Sequence, residues 1–175
     1  MILGISLASV SGLTATLVHL LNHALMKGGL FLALACMAFQ LGGTRLVDLA
    51  GAGRRMPWTS AAFVVGGLSL IGVPLTAGFV SKWLLVVAVL EAGWWPVLIV
   101  IAVGSLLAVA YIWRVIEMIY FRSATNPDEH SEETHWSLLA PVWLLIVANV
   151  YFGLHTQWSV GVAQRAAQML FGGQG

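Results

Sequence analysis

Three polar side chains stand four residues apart in an otherwise apolar run: His19, His23 and Lys27 in the segment HLLNHALMKGGLFL. On a helix each step of four turns about 40° past a full circle, so the three would form one slowly drifting stripe with Asn22 beside it. A lysine at the centre of a bilayer costs roughly 2.5–3.5 kcal/mol on insertion scales. Water, a carboxylate or loss of the proton must offset that cost. Burial favours the uncharged amine, which would make Lys27 a switchable proton carrier. Two imidazoles titrating near neutrality on the same stripe would lengthen the route. The plainer alternative is structural, with Lys27 paired to a neighbouring helix and the histidines bonded to backbone; the presence of all three favours proton handling.

Lys82 is the second candidate. It follows GVPLTAGFVS, where Gly72, Pro74 and Gly78 interrupt helix geometry. Broken helices at membrane depth expose backbone dipoles to a polar cavity, as ion transporters require. The alternative is an ordinary helix–turn–helix at the surface with Lys82 snorkelling to the headgroups. Taken with Lys27 in the same short chain, the relay reading is preferred. Glu91 would lie on the opposite side of the same helix, near the interface residues Trp94 and Trp95. Arg114 and Glu117, three apart, could form a supporting ion pair on one face. His130 and His135 fall in a polar loop, and His155 suits an interface. No metal-ligand cluster, nucleophile–base pairing or phosphate-binding glycine loop is visible. No metal and no cofactor are therefore expected.

The elements that would position these groups follow from composition. Of 175 residues, 59% are apolar or aromatic and 9% charged, against about 25% charged in soluble domains. The net charge of +1 leaves no footprint for nucleic acid. Lys27 is the only charge before Arg45, Lys82 and Glu91 the only ones from Met56 to Trp113, and there is none from Trp136 to Gln164. A bilayer core takes roughly 20 apolar residues per helix, and no segment alternates as a barrel strand would. The expectation is an all-α, polytopic membrane bundle of about five spans plus a partial N-terminal helix (Met1–Val10). The spans fall near Leu13–Leu41, Pro57–Ile71, Phe79–Ala92, Val97–Tyr120 and Leu138–Leu154, with an interruption at Gly72–Gly78. Thr44–Met56 reads as a polar loop, basic through Arg45, Arg54 and Arg55, and the positive-inside rule places it in the cytoplasm. Phe121–His135 reads as an acidic aqueous loop (Asp128, Glu129, Glu132, Glu133). The tail Trp158–Phe171 reads as an amphipathic helix on the membrane surface. Cys36, alone in an apolar run, reads as a small buried hydrophobe.

The blocks HLLNHALMKGGLFL, GGTRLVDLAGAGRRMPWT, GLSLIGVPLTAGFVSKWLL and YIWRVIEMIYF closely resemble, in order and spacing, the antiporter-like proton-translocating membrane subunits. These include the D-type subunit of the Mrp-type monovalent cation/proton antiporters and the homologous membrane subunits of respiratory complex I; the SKWLL wording around Lys82 is most similar to the D-type. The resemblance covers roughly residues 1–122. It implies that Lys27 is the lysine of the histidine-rich helix, that Lys82 belongs to the later half-channel, and that His19 and His23 lead to Lys27. Full-length members of this kind have about fourteen helices in two inverted repeats, and this chain matches the later portion. A fragment, a split gene product or a piece needing a partner is therefore expected, and independent antiport is not.

Three functions are in view. The first is the proton-conducting part of a monovalent cation/proton antiporter complex in the cell inner membrane, coupled to Na+ or K+ and assembled with other membrane subunits. The second is a proton-pumping subunit of an NADH-quinone oxidoreductase or hydrogenase-type complex. The third is a non-conducting remnant that only packs. As an isolated chain it is not expected to be an enzyme. The expected organisation is an antiporter-like membrane domain (1–122), an acidic loop (123–136), and a further span with its amphipathic tail (137–175).

Overall fold

The computed structural model describes residues 1–43, 45–123 and 133–172. Within them lie eight α-helices and no strand: α1 Ile2–Ser6, α2 Val10–Leu41, α3 Ala52–Arg55, α4 Pro57–Ile71, α5 Ala77–Glu91, α6 Trp95–Phe121, α7 Trp136–Leu154 and α8 Thr156–Gly172, with a 3-10 turn at Leu46–Leu49. The expected all-α, polytopic bundle is thus the observed one. Most of the acidic loop, including Asp128, Glu129, His130 and Glu132, lies outside the described residues.

Local chemistry sets the helix ends. Ser9 accepts a hydrogen bond from the Gly12 N–H and so caps α2, which satisfies one of the donors that a helix start leaves unpaired. Gly42 ends α2 in the left-handed conformation, φ 69°, which costs glycine least. Pro57 opens α4 at a position that needs no N–H. The polar segment between α2 and α4 is partly folded rather than open loop: α3 and the 3-10 turn occupy it, and the Gly51 N–H donates to Met118 O of α6.

Three helices, α2, α6 and α7, are long and apolar enough to cross a membrane. α4 and α5 have 15 residues each, roughly 22 Å at 1.5 Å per residue, short of a hydrocarbon core of about 30 Å. They are separated by Gly72–Thr76, so the expected interruption is real. Outward faces are heavily apolar: on α6, Ile99, Val100, Val103, Leu106, Leu107 and Trp113 are exposed, as lipid or further helices require.

The core joins α2, α4, α6 and α7 through Leu30, Met37, Phe63, Ile112, Val142 and Ile146. Close approach depends on small residues: a Cβ on Gly29 would come within 2.8 Å of Ile146, and one on Gly67 within 2.9 Å of Ile112. The C-terminal helix has one face against the bundle. α8 packs along α2 with Ala163 and Ala167 buried, because two alanines one turn apart let the backbones approach where bulkier side chains would hold a helix off.

α4 is held at its N-terminus by an acid. The Glu133 carboxylate accepts from Trp58 N–H at 2.7 Å, Thr59 Oγ1 at 2.6 Å and Thr134 N–H at 3.0 Å. A carboxylate there meets both the orphan N–H groups and the positive end of the helix dipole. We expect Glu133→Ala to cost about 1 kcal/mol, measured as a lower thermal unfolding midpoint of the detergent-solubilised protein; an unchanged midpoint would mean the cap is not used.

Candidate functional site

The polar groups converge on the gap between α4 and α5. α4 ends at Gly72, φ 94°, where Gly72 N–H and Val73 N–H both bond Leu68 O at 3.0 Å. Leu75 also has a positive φ, 75°, a left-handed conformation that a branched side chain adopts only when its surroundings impose it. Thr76 precedes α5, and its hydroxyl donates to Val73 O at 2.6 Å. Gly78 then lies against the Ser69 carbonyl so closely that a Cβ would collide with that oxygen.

Lys82 closes this gap on one side. Its Nζ donates to Leu70 O at 2.9 Å, Ile71 O at 2.8 Å and Ser105 Oγ at 3.1 Å. Three acceptors thus match the three donors of an ammonium group. Two of them are the last carbonyls of α4, the negative end of its dipole. Lys82 is half-buried and turned to the backbone of α4 and to α6. Glu133 and Lys82 therefore hold α4 at opposite ends with opposite charges.

On the other side α2 docks through its stripe. His19 Nδ1 lies 3.0 Å from Ser81 Oγ, and Ser81 donates to Gly78 O at 3.1 Å. Asn22 Nδ2 donates to Ala77 O at 2.8 Å. The His19 and His23 rings are 5.3 Å apart between centroids. The stripe therefore meets α5 at Ala77 and Ser81, immediately before Lys82. Lys27 lies apart: it is half-buried, two turns from His19 on α2, with Nζ 5.4 Å from the Phe31 ring centroid, a cation–π contact. Its face of α2 carries exposed Leu20 and Phe31.

Some partners differ from those expected. Glu117 pairs with Arg122, at 2.9 Å, in place of Arg114. Arg122 follows the last residue of α6 in an extended conformation, so its long side chain folds back along the final turn, while Arg114 points outward and is exposed. Glu91 borders a cavity of about 220 Å³ with Ser11, Thr14 and Gln164 at the seam of α2, α5 and α8. His155 stacks on Tyr151, centroids 4.7 Å apart, and Cys36 is buried.

Sequence reasoning missed Ser69, Ser105 and Asn149. Ser69 Oγ accepts from Gly78 N–H at 3.2 Å and donates to Asn149 Oδ1 at 2.8 Å. A buried asparagine in the uncharged α7 was a readable signal, because an amide in a span demands a partner.

Fold and site together define a polytopic helical membrane protein with an interruption between α4 and α5, at which Lys82, His19 and Asn22 are bonded. Residues 1–108 match the model of the NADH:quinone oxidoreductase/Mrp antiporter transmembrane family, and the chain belongs to that family. It is 38% identical over 168 residues to the NADH-quinone oxidoreductase subunit N of Desulforudis audaxviator (strain MP104C), covering 89% of this chain and 34% of that protein. To the D-type subunit of the Na(+)/H(+) antiporter of Bacillus subtilis (strain 168) it is 23% identical over 167 residues, covering 95% of this chain and 34% of the relative. A chain in the solved Mrp complex from Dietzia sp. DQ12-45-1b superposes with a TM-score of 0.90 at 26% identity, over 98% of this chain and 40% of that one. This chain spans about a third of the length of the curated relatives it matches.

The gap predicts its own sensitivity. Gly78→Ala should lower stability by about 3 kcal/mol through overpacking against the Ser69 backbone, read as reduced accumulation and an earlier thermal transition in detergent. Wild-type behaviour would show that α4 and α5 can separate without loss.

Proposed function

We propose that this chain is the proton-conducting part of a multisubunit antiporter-like membrane complex, with Lys27, His19, His23 and Lys82 as the groups that hold and pass protons. The observation that carries the reading is the arrangement at the α4–α5 gap. There an amine bonded to helix-end carbonyls and an imidazole bonded to Ser81 act on one turn of a broken helix inside a membrane bundle. Half-helix ends directed at a cation are a recurring way to move ions at membrane depth.

In this mechanism the polar cavity beside Glu91, Ser11 and Thr14 admits water to the α2–α5 seam. His19 exchanges a proton with that water through the Ser81 side, and His23 extends the path toward Lys27. Lys82 receives or returns charge at the far side of α5. Its release from the α4 carbonyls is the step that must be matched by charge arriving nearby. The outward face of α2 that carries Lys27 is where the remaining helices of such a protein would cover the stripe and supply the other half of the path. Arg122 and Glu117 serve as a structural pair at the end of α6.

Two host complexes fit. An Mrp-type monovalent cation/proton antiporter, coupled to Na+ or K+, is favoured by the close superposition on the solved Mrp complex. A proton-pumping subunit of an NADH-quinone oxidoreductase-like complex is favoured by the identity to the Desulforudis oxidoreductase relative, which is higher than that to the Bacillus antiporter relative. In either host the chain sits in the cell inner membrane and works with partner subunits.

In everted vesicles carrying the assembled complex, Lys27→Ala or Lys82→Ala should lower proton-coupled transport by about a hundredfold, the low end of what loss of a positioned proton-transfer group costs. The amount of complex should change little for Lys27→Ala, whereas Lys82→Ala also removes the tie to the Leu70 and Ile71 carbonyls, so its transport is read per assembled complex. Transport that persists in both variants would refute the relay; a sodium- or potassium-dependent signal against an NADH-dependent one separates the two hosts.

A further inference from the structure

Four buried side-chain atoms among the described residues have no hydrogen-bond partner: Asn22 Oδ1, Ser60 Oγ, Trp143 Nε1 and Asn149 Nδ2. Two of the four belong to the α4–α5 gap, and they are complementary, one acceptor and one donor. The Asn22 amide is oriented by the bond it already makes. Asn22 donates through Nδ2 to Ala77 O, so turning its amide would set oxygen against oxygen. Ser69 accepts from Gly78 N–H and commits its one proton to Asn149 Oδ1, which leaves Asn149 Nδ2 without an acceptor. Ala77 C=O and Gly78 N–H are the two ends of a single peptide group, so both carboxamides are tied to the same first peptide of α5, one directly and one through Ser69.

Neither orphan can be served from outside the bundle. Asn22 is 0% exposed and Asn149 1%, so a further helix packed on the surface cannot reach them. A buried amide atom left unpaired is costly, and ordered water is what commonly pairs such atoms in folded proteins. Gly153, one turn after Asn149 on the same face of α7, lies against Leu75 O and the Thr76–Ala77 backbone, where any side chain would collide. α7 is therefore fitted to the gap by its backbone as well as by its amide. α7 also lies beyond residues 1–108, the part matched by the family model.

We infer that Asn22 and Asn149 hold ordered water against the first turn of α5, and that this water joins the His19–Ser81 side of the gap to the Lys82 side. Asn149 is a positioning residue: it bonds water and Ser69. The water site itself follows from the orphan atoms; its place in a conduction path rests on the relay proposed above. Water accepts from Asn149 Nδ2 and donates to Asn22 Oδ1, the two amides being tied to the Ala77–Gly78 peptide through Ser69 and directly.

Two measurements on the full assembled complex test this. A density map of the wild-type complex in lipid, at a resolution that shows water, should contain water within hydrogen-bond distance of both Asn22 Oδ1 and Asn149 Nδ2. Finding the amides bonded to protein groups with no water would overturn the site, whatever the fate of Lys27 and Lys82. Transport in everted vesicles then tests the path. Asn149→Leu keeps the volume but holds no water and should lower proton-coupled transport about tenfold, while Asn149→Ser keeps a hydroxyl, leaves room for water and should retain most of it. A purely structural role gives the reverse order, with Leu tolerated and Ser impaired by its cavity, and that order would overturn the path. Water seen in the map with a failed Lys82→Ala test would leave the site standing and remove the relay.

Discussion

A helix that stops inside a membrane leaves carbonyls at one end and N–H groups at the other with no water to satisfy them. The gap between Ile71 and Ala77 leaves carbonyls and N–H groups of this kind inside the bundle, and side chains around it satisfy them. Leu70 and Ile71 carbonyls are taken by Lys82, Gly78 N–H by Ser69, and Ala77 O gains Asn22. Each of these side chains comes from a different helix or from beyond the gap, so satisfying the backbone is the same act as assembling α2, α4, α5 and α7.

The same constraint explains the distribution of charge. α4 has Glu133 at its positive end and Lys82 at its negative end, so a short helix that cannot itself reach both membrane faces is bracketed by counter-charges. Lys82 is thereby both a structural tie and an amine whose bonds must break for it to move. Lys27 carries no such tie; its contact is the Phe31 ring, and its face is turned outward. Two lysines that look alike as isolated basic residues in apolar runs thus occupy different physical situations.

Much of this was legible in the residue order. Charge-free runs gave the rough limits of α2, α4, α5, α6 and α7 but not α3, and Gly72, Pro74 and Gly78 located the interruption, because glycine and proline are the residues that change backbone geometry most. The four-residue spacing of His19, His23 and Lys27 gave the stripe correctly because helical periodicity is local. What escaped is non-local. Ser69, Ser105 and Asn149 differ little from their neighbours in helical preference, and their significance comes from partners 9 to 80 positions away. Glu133 read as one more solvated acid, since nothing near it in sequence indicates that it reaches the start of α4. Arg122 took Glu117 from Arg114 because a residue just past a helix end can fold back, a geometry that spacing rules for helix interiors do not cover.

The most direct test of this account is the position of the Lys82 amine in the assembled protein embedded in a bilayer. A structure determined in lipid nanodiscs should place Lys82 Nζ within hydrogen-bond distance of the Leu70 and Ile71 carbonyls, with α4 and α5 separate. A continuous helix from Pro57 to Glu91, or a Lys82 side chain extended to the headgroups with those carbonyls bonded elsewhere, would contradict it.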